Sequence, residues 1–274
     1  MAARCFTEEA EALQYIITLV YERARIRLHD GKEALIRARL GKRMRALGLS
    51  NLLDYCNFLR QPAGAMELPH VVDALATNFT SFLREPDHFR FLVETALPML
   101  LGKARKRFSI WSAACATGEE PFSIAFHLAE SFPMQAGWDW RITASDISTK
   151  ALDKAAQATY PGDRLQTLPE EWVRKYFQKG FGQAQGLFRV KTAVRDRVSF
   201  CQINLMCPPA TAPYEVIFCR NVMIYFDRPT QLQIVQHLCE LLVPQGYLFI
   251  GHSESLNGLS LPLRCLRPSY YQKI

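Results

Sequence analysis

The sequence lacks the features that define several common classes of protein. It has no run of about 18 apolar residues that could form a transmembrane helix, and acidic residues near its start interrupt the apolar stretch that a signal peptide needs. Its eight cysteines form no CxxC pair and no Cys/His cluster with zinc-ligand spacing. These absences predict a cytoplasmic protein without membrane insertion, whose thiols are reduced and mostly buried.

The composition permits a large hydrophobic core and indicates an acidic partner. Of the 274 residues, 49% are hydrophobic, which suits one large or two small domains. The formal charge of +7 suits nucleic acid, an anionic membrane surface or an acidic protein, and composition does not choose among them.

Two regions of the chain differ in pattern. Residues 7 to about 76 show helical periodicity broken by turn residues, which predicts a small helical domain at 1–76. In the remainder, 77–274, short apolar runs alternate with helical stretches from residue 108 onward. This alternation is typical of a mostly parallel sheet with helices on both faces. Glycines followed by an apolar run predict a small antiparallel insert at about 176–198.

The first predicted strand-to-helix turn, from Ala113 to Glu120, contains a single glycine. A dinucleotide site needs a glycine-rich turn for the pyrophosphate, and the adjacent Glu119 and Glu120 would repel phosphate. A carboxylate in this turn instead suits a cationic group, such as the ammonium of an amino acid. Pro121 is predicted to occupy the first helical position.

Asp146 ends the next predicted strand about 26 residues later, where an acidic side chain can accept both ribose hydroxyls. A nucleoside that carries a cationic amino acid is S-adenosylmethionine. The alternative is that Asp146 caps a helix, while Glu119 and Glu120 complement the dipole of theirs. Taken one at a time, these residues leave both interpretations open.

Six segments together resemble the chemotaxis receptor glutamate methyltransferases. They are TNFTSFLRE at 77–85, WSAACATGEEPFSIA at 111–125, ASDISTKALDKA at 144–155, INL at 203–205, IFCRNVMIYFDRPTQ at 217–231 and GHSES at 251–255. The resemblance runs almost to the end of the chain from the linker, the stretch from about residue 76 to 102 that joins the two regions. The helical region matches in character more than in letters. Departures at Cys115-Ala116 and at Leu83 remove no polar contact.

The resemblance implies a class I (Rossmann-like) S-adenosylmethionine-dependent methyltransferase α/β fold, with a small antiparallel β insert and a preceding all-α domain. It implies methylation of glutamates on the cytoplasmic region of chemoreceptors, with S-adenosylhomocysteine as product and no metal. The implied cofactor-binding residues are Asn78, Thr80, Arg84, Glu120, Asp146, Asn204, Leu205, Arg220 and Asn221. Between Glu119 and Glu120, the resemblance favours Glu120.

Arg84 and Tyr225 are the residues expected to orient the substrate carboxylate. The alternative for Arg84 is an ion pair with Glu85 or Asp87 on the linker. A glutamate side chain, with an unperturbed pKa of about 4.3, is already ionised at neutral pH, so its methylation needs no general base. The lack of a Ser-His-Asp set or a metal motif therefore does not argue against an enzyme.

Two surfaces are expected to meet the receptor. On the helix predicted at 35–47, Arg39, Lys42 and Arg43 lie off the apolar stripe and would dock on acidic receptor helices, unless they form an ordinary solvated face. Gly180 and Gly182 resemble the glycine pattern of family members that bind a receptor's carboxyl-terminal pentapeptide, although a glycine-rich turn alone is common. We expect the chain to act as a monomer.

Two other functions compete with this interpretation. A nucleic-acid methyltransferase would place an (Asp/Asn)-Pro-Pro-aromatic motif at the end of the fourth strand, where this chain has Arg220-Asn221-Val222. The sequence therefore predicts no nucleic-acid substrate. The second competing function is a receptor-binding scaffold that has lost enzymatic activity. The presence of Arg84, Asp146 and Tyr225 argues against it.

Overall fold

The computed structural model describes residues 6–28, 31–102, 105–210 and 213–274. Its amino-terminal part consists of α1 (Glu9–Ala24), α2 (Glu33–Ala46), α3 (Leu52–Leu59) and α4 (Leu68–Leu75), with a 3-10 turn at Pro62–Glu67. Residues 1–5 of the predicted helical domain lie outside the described residues. Across the described ranges, no helix is long and apolar enough to cross a membrane.

The four helices share a hydrophobic core of their own. α1 buries Ile16, Leu19 and Val20, which follow helical spacing and therefore lie on one side of the helix. α3 begins at Asn51, whose side-chain oxygen accepts a hydrogen bond from the Asp54 N–H at 2.8 Å. The helical part is thus held together by internal packing, separate from the core of the sheet.

Two of the basic residues expected on the docking face contribute to this internal structure. Arg43 donates from Nε and Nη2 to the Glu67 carboxylate at 2.8 and 2.6 Å, and the buried Tyr55 hydroxyl donates to the same carboxylate at 2.9 Å. Arg39 donates to the carbonyl oxygen of Leu75 at 2.9 Å. Arg39 and Arg43 therefore stabilise the helical domain, whereas Lys42 is exposed.

The rest of the chain alternates between helices and strands. Its helices are α5 (Asp87–Phe91), α6 (Leu97–Leu101), α7 (Glu119–Ser131), α8 (Thr149–Gln157), α9 (Glu170–Tyr176), α10 (Thr192–Arg195) and α11 (Arg228–Glu240). Its strands are β1 (Arg107–Ala113), β2 (Asp139–Asp146), β3 (Thr159–Pro161), β4 (Phe177–Lys179), β5 (Leu187–Val190), β6 (Val198–Gln202), β7 (Tyr214–Cys219), β8 (Leu242–Phe249), β9 (Leu263–Arg267) and β10 (Tyr270–Lys273).

Seven strands form the main sheet, in the order β6-β2-β1-β7-β8-β10-β9. The first five are parallel, as predicted. β10 pairs antiparallel with β8, and β9 pairs antiparallel with β10; these two strands were not predicted. Because parallel strands all end at the same edge, the loops that follow β1, β2, β6 and β7 meet there.

Both faces of the sheet are covered by helices. In β7, Val216 and Phe218 pack into the cluster that includes residues of α5, α6 and α7, while Ile217 and Cys219 pack against α11. This division follows the alternation of side chains along a strand. It explains why β7 is apolar at nearly every position: both of its faces are buried.

The small antiparallel insert is present but begins earlier than predicted. Its three strands lie in the order β3-β5-β4, so it starts at Thr159 and not near residue 176. The stretch after Val190 forms α10 and does not continue as strand. Gly182 has a φ angle of 58°, and Gly180 packs where an added Cβ would collide with the Ala184 carbonyl oxygen. Both glycines are therefore required by the turn between β4 and β5.

Candidate active site

A cleft opens at the carboxyl ends of the parallel strands. All nine predicted cofactor-binding residues line it, and so does Tyr225. They come from the linker, from the turn after β1 and from the ends of β2, β6 and β7, so the topology brings together residues that are distant in sequence. The cleft is also lined by Ala24 and Ile26 of the helical domain, which sequence analysis did not identify.

The turn after β1 has an unusual backbone that brings the main chain close to the cleft. Ala114 and Ala116, which both line the cleft, have φ angles of 66° and 48°. Gly118 has a φ angle of 94°, and a Cβ there would lie 2.8 Å from the Tyr160 hydroxyl. α7 begins at Glu119, so the prediction that Pro121 is the first helical residue was wrong.

The two adjacent glutamates of this turn point in different directions. Glu120 lines the cleft, where its carboxylate accepts hydrogen bonds from the Ser112 hydroxyl at 2.7 Å and from Arg220 Nη1 at 3.0 Å. Glu119 is 1% exposed, accepts from the Thr117 hydroxyl at 2.6 Å and is absent from the cleft lining. Of the two, Glu120 is thus the residue placed to meet a ligand.

Asp146 connects the loops that follow β1 and β2. Its two carboxylate oxygens accept from the Ala116 N–H at 2.8 Å and from the Ser148 N–H at 2.9 Å. The N-cap of α8 is Ser148, so the alternative interpretation of Asp146 as the helix cap was wrong. Each carboxylate oxygen can accept a second hydrogen bond, which leaves capacity for ribose hydroxyls.

Arg220 lies at the centre of a buried ion-pair network. Its Nη2 donates to Glu85 at 2.9 Å, its Nη1 donates to Glu120 at 3.0 Å, and its side chain is 1% exposed. Nη2 also donates to the Arg84 carbonyl oxygen at 2.5 Å. Glu85 was predicted only as an alternative partner of Arg84, although it lies within the polar run of the linker, NFTSFLRE.

Arg84 and Tyr225, the predicted positioning residues, line the same cleft. Glu85 pairs with Arg220 and Asp87 with Arg90, so the alternative ion pairs of Arg84 on the linker do not form. Among the described residues, its guanidinium donates one long hydrogen bond, of 3.4 Å, to the Phe79 carbonyl oxygen. Arg84 is therefore free to interact with an anion in the cleft.

The helical domain covers part of the cleft. Asn204 donates from Nδ2 to the Arg23 carbonyl oxygen at 3.1 Å, and the Arg27 N–H donates to the Tyr225 carbonyl oxygen at 2.9 Å. The Tyr21 hydroxyl donates to Asp227 at 2.6 Å. These contacts hold the end of α1 against the loops of the sheet.

Ionisation in the cleft is governed by burial and by Arg220. Burial raises the pKa of Glu120 and of Asp146 above their ordinary values. For Glu85, burial acts in the same direction, but the charge of Arg220 and the hydrogen bonds from Arg220, Asn221 and the His252 N–H together lower the pKa to about 2. Glu85 is therefore ionised at neutral pH.

One group of described residues has metal-ligand spacing. Ligand atoms of Glu85, His88 and His252 all lie within 4.8 Å of one another. The Glu85 carboxylate is already paired with Arg220, whose positive charge opposes a second cation there. The geometry therefore favours the ion pair over a metal.

Comparisons with known proteins agree with this architecture. Residues 78–271 match the family model described as CheR methyltransferase, SAM binding domain, and residues 11–76 match CheR methyltransferase, all-alpha domain. A chemotaxis protein methyltransferase of Salmonella typhimurium is 41% identical over 249 residues, covering 89% of this chain and 83% of the relative. The chemotaxis protein methyltransferase of Escherichia coli is 40% identical, and the match covers 89% of this chain and 84% of the relative. A probable chemotaxis protein methyltransferase of Rhizobium etli is 40% identical, covering 88% and 91%.

The fold and the family models together define a class I S-adenosylmethionine-dependent methyltransferase, as the sequence predicted. More narrowly, the chain belongs to the CheR family of chemotaxis protein methyltransferases. S-adenosylmethionine is its cofactor, and the resemblance inferred from the six segments is confirmed.

We expect the affinity for S-adenosylhomocysteine to fall as the pH is lowered. If Glu120 and Asp146 accept hydrogen bonds from the ligand, binding favours their ionised forms, and burial raises the pKa at which each takes up a proton. Affinity should be greatest above both pKa values and fall by about tenfold per pH unit for each protonated group below them. Calorimetric titrations at a series of acidic pH values measure the affinity. The affinity of Glu120→Gln should decline less steeply with falling pH. An affinity of the wild-type protein that did not change with pH would contradict the assignment of Glu120 and Asp146 as ligand-binding carboxylates.

Proposed function

We propose that this protein methylates glutamate side chains on the cytoplasmic region of chemoreceptors, giving glutamate methyl esters. The observation that carries the proposal is the charge pattern of one cleft. Glu120 and Asp146 offer carboxylates to a cationic nucleoside, and Arg84 lines the same cleft without an ion-pair partner among the described residues. Arg84 can therefore bind an anionic substrate group beside the cofactor.

The cofactor supplies an electrophilic methyl group, whose bond to sulfur breaks as a carboxylate oxygen bonds to carbon, without proton transfer. Because the nucleophile is already ionised, the residues of the chain need only exclude water and hold the carboxylate in line. Arg84 and Tyr225 can hold it by hydrogen bonds, with Arg84 offering a planar fork of donors. A very tight hold would stabilise the reactants, so we assign these residues positioning.

Methyl transfer to a chemoreceptor cytoplasmic fragment tests this function. We expect the labelled methyl group to appear on the receptor fragment as an alkali-labile ester. Arg84→Ala should lower turnover by roughly 100-fold, because the substrate carboxylate is misplaced. Its effect on the affinity for S-adenosylhomocysteine should be much smaller. Arg107→Ala, an 84% exposed arginine at the amino end of β1, is the control.

Normal turnover by Arg84→Ala at saturating cofactor would contradict the positioning role. Methyl transfer to nucleic acid but not to receptor would favour the rival methyltransferase, and cofactor binding without any transfer would favour the scaffold.

We further propose that acidic receptor helices dock on a groove between α2, α4 and α8. Its charged lining residues are Arg39, Lys42, Arg43, Asp73, Lys150 and Asp153. Cations outnumber carboxylates there, which suits an acidic partner. The Thr149 hydroxyl donates to Asp73 at 3.0 Å, so the groove joins the helical domain to the sheet domain.

Lys42→Glu should slow methyl transfer at low salt and reduce its dependence on ionic strength, because screening acts on long-range attraction. Lys42 is the residue to change, since Arg39 and Arg43 also stabilise the helical domain. Arg107→Glu, an 84% exposed residue at the amino end of β1 and outside both proposed receptor surfaces, carries the same change of charge and should leave the rate unaltered. An equal loss in both variants, or an unaltered salt profile for Lys42→Glu, would count against docking in this groove.

We also propose that the insert binds a receptor's carboxyl-terminal peptide as an added strand, as the pattern at Gly180 and Gly182 implies. β4 is an edge strand of the small sheet. The Gly180 N–H donates to the Leu187 carbonyl at 2.8 Å, and the Tyr176 carbonyl accepts from the Lys191 N–H at 2.8 Å. Residues bonded to the neighbouring strand alternate with those directed outward, so Lys179 presents its N–H to the open edge.

Lys179→Pro should therefore impair methylation only of receptors that carry a tail peptide, because proline removes one outward N–H without breaking the bonds to β5. Lys179→Ala controls for loss of the charge. Since a tether raises local concentration, a higher receptor concentration should largely restore the initial rate. Equal losses with tailed and tailless receptors would refute the tether.

A further inference from the structure

We propose that Glu85 sets the charge of the cofactor cleft: it neutralises Arg220, so that the negative charge of Glu120 is left for the cationic α-ammonium group of the cofactor. This inference rests on the proposed role of Glu120 as the partner of that ammonium. Glu85 itself does not line the cleft, so it is a positioning residue that acts through Arg220.

The charges in the network can be counted from the contacts. Arg220 lies between two carboxylates, 2.9 Å from Glu85 and 3.0 Å from Glu120. One guanidinium and two carboxylates leave a net charge of minus one when both acids are ionised. With Glu120 alone, the guanidinium would form a neutral pair and nothing would remain to attract a cation.

The surroundings of Glu85 require a group that only accepts hydrogen bonds. Besides Arg220, the Asn221 side-chain amide and the His252 main-chain N–H donate to its other carboxylate oxygen, each at 3.2 Å. A glutamine at this position would direct its NH₂ group at one of these donors. The chain also adopts φ angles of 54° at Leu83 and 56° at Glu85, a strained backbone that persists because the contacts of Glu85 hold it.

The imidazole ring of His88, which lies next to Glu85, does not change the net charge of the network. His88 is completely buried, and its Nε2 lies 2.9 Å from the Ser269 hydroxyl, which itself donates to the Pro268 carbonyl oxygen. Its Nδ1 lies 3.4 Å from a Glu85 carboxylate oxygen, and a neutral ring adds no charge to the network whichever nitrogen carries its single proton. Burial lowers the pKa of His88 to about 3, so the ring is neutral at working pH.

Binding of two ligands that differ only by the ammonium-bearing chain isolates this effect. The probes are methylthioadenosine and decarboxylated S-adenosylhomocysteine, which adds an aminopropyl ammonium and no carboxylate. We expect the wild-type protein to prefer the amine, and Glu85→Gln to reduce that preference by about tenfold while the affinity for methylthioadenosine stays the same. Glu94→Gln, an exposed residue of the same linker region, should leave both affinities unchanged.

A second substitution restores the charge. Arg220→Gln combined with Glu85→Gln returns the network to minus one, and the double variant should regain the preference for the amine. Arg220→Gln alone should prefer the amine at least as strongly as the wild type. These two variants keep the proposal testable if Glu85→Gln does not fold, which circular dichroism will show.

The outcomes separate this inference from the assignment of Glu120. If the wild-type protein and Glu120→Gln show the same preference, the proposed role of Glu120 fails. If Glu120→Gln loses the preference but Glu85→Gln retains it, the charge-setting role of Glu85 is overturned. Equal weakening of both ligands by Glu85→Gln would also overturn it, because that result marks a purely structural residue.

Discussion

A buried arginine is the constraint on which the active end of this protein depends. Arg220 is almost inaccessible to solvent, and a guanidinium in such a place is stable only if carboxylates and carbonyl oxygens surround it. Those partners come from the linker, through Glu85 and the Arg84 carbonyl, and from the start of α7, through Glu120. One network thus fixes three separate segments at the carboxyl edge of the sheet and brings Arg84 to the cleft.

The exclusion of water from the cleft links the helical domain to the proposed methyl transfer. Transfer of a methyl group between a sulfonium and a carboxylate removes charge, so a site that excludes water favours it. The loops of the sheet provide one side of the cleft, and the end of α1 contributes Ala24 and Ile26 to its lining. A domain proposed to meet the receptor therefore also shapes the cofactor site, and docking and catalysis share one structural unit.

The sequence predicted the parallel sheet from local pattern, because strands buried on both faces are apolar. Local pattern also placed Glu120 and Asp146 at the carboxyl ends of the strands, whereas the other cofactor-binding residues were predicted only through the family resemblance. It could not predict contacts that depend on tertiary packing. Glu85 differs from the other linker acids through its contacts with Arg220, Asn221 and His252. Arg43 of the basic groove is likewise held by Glu67, which is buried beside it. The three-residue strand Thr159–Pro161 is too short to show a period, so the start of the insert was missed.

A crystal structure of the protein with S-adenosylhomocysteine tests the central claim most directly, because that claim concerns which group faces which carboxylate. The arrangement predicts that the α-ammonium lies within hydrogen-bonding distance of Glu120 and that the ribose hydroxyls lie on Asp146, with Glu85 still paired to Arg220. A ligand bound in the reverse direction, with its carboxylate toward Glu120 or its ribose away from Asp146, would contradict it.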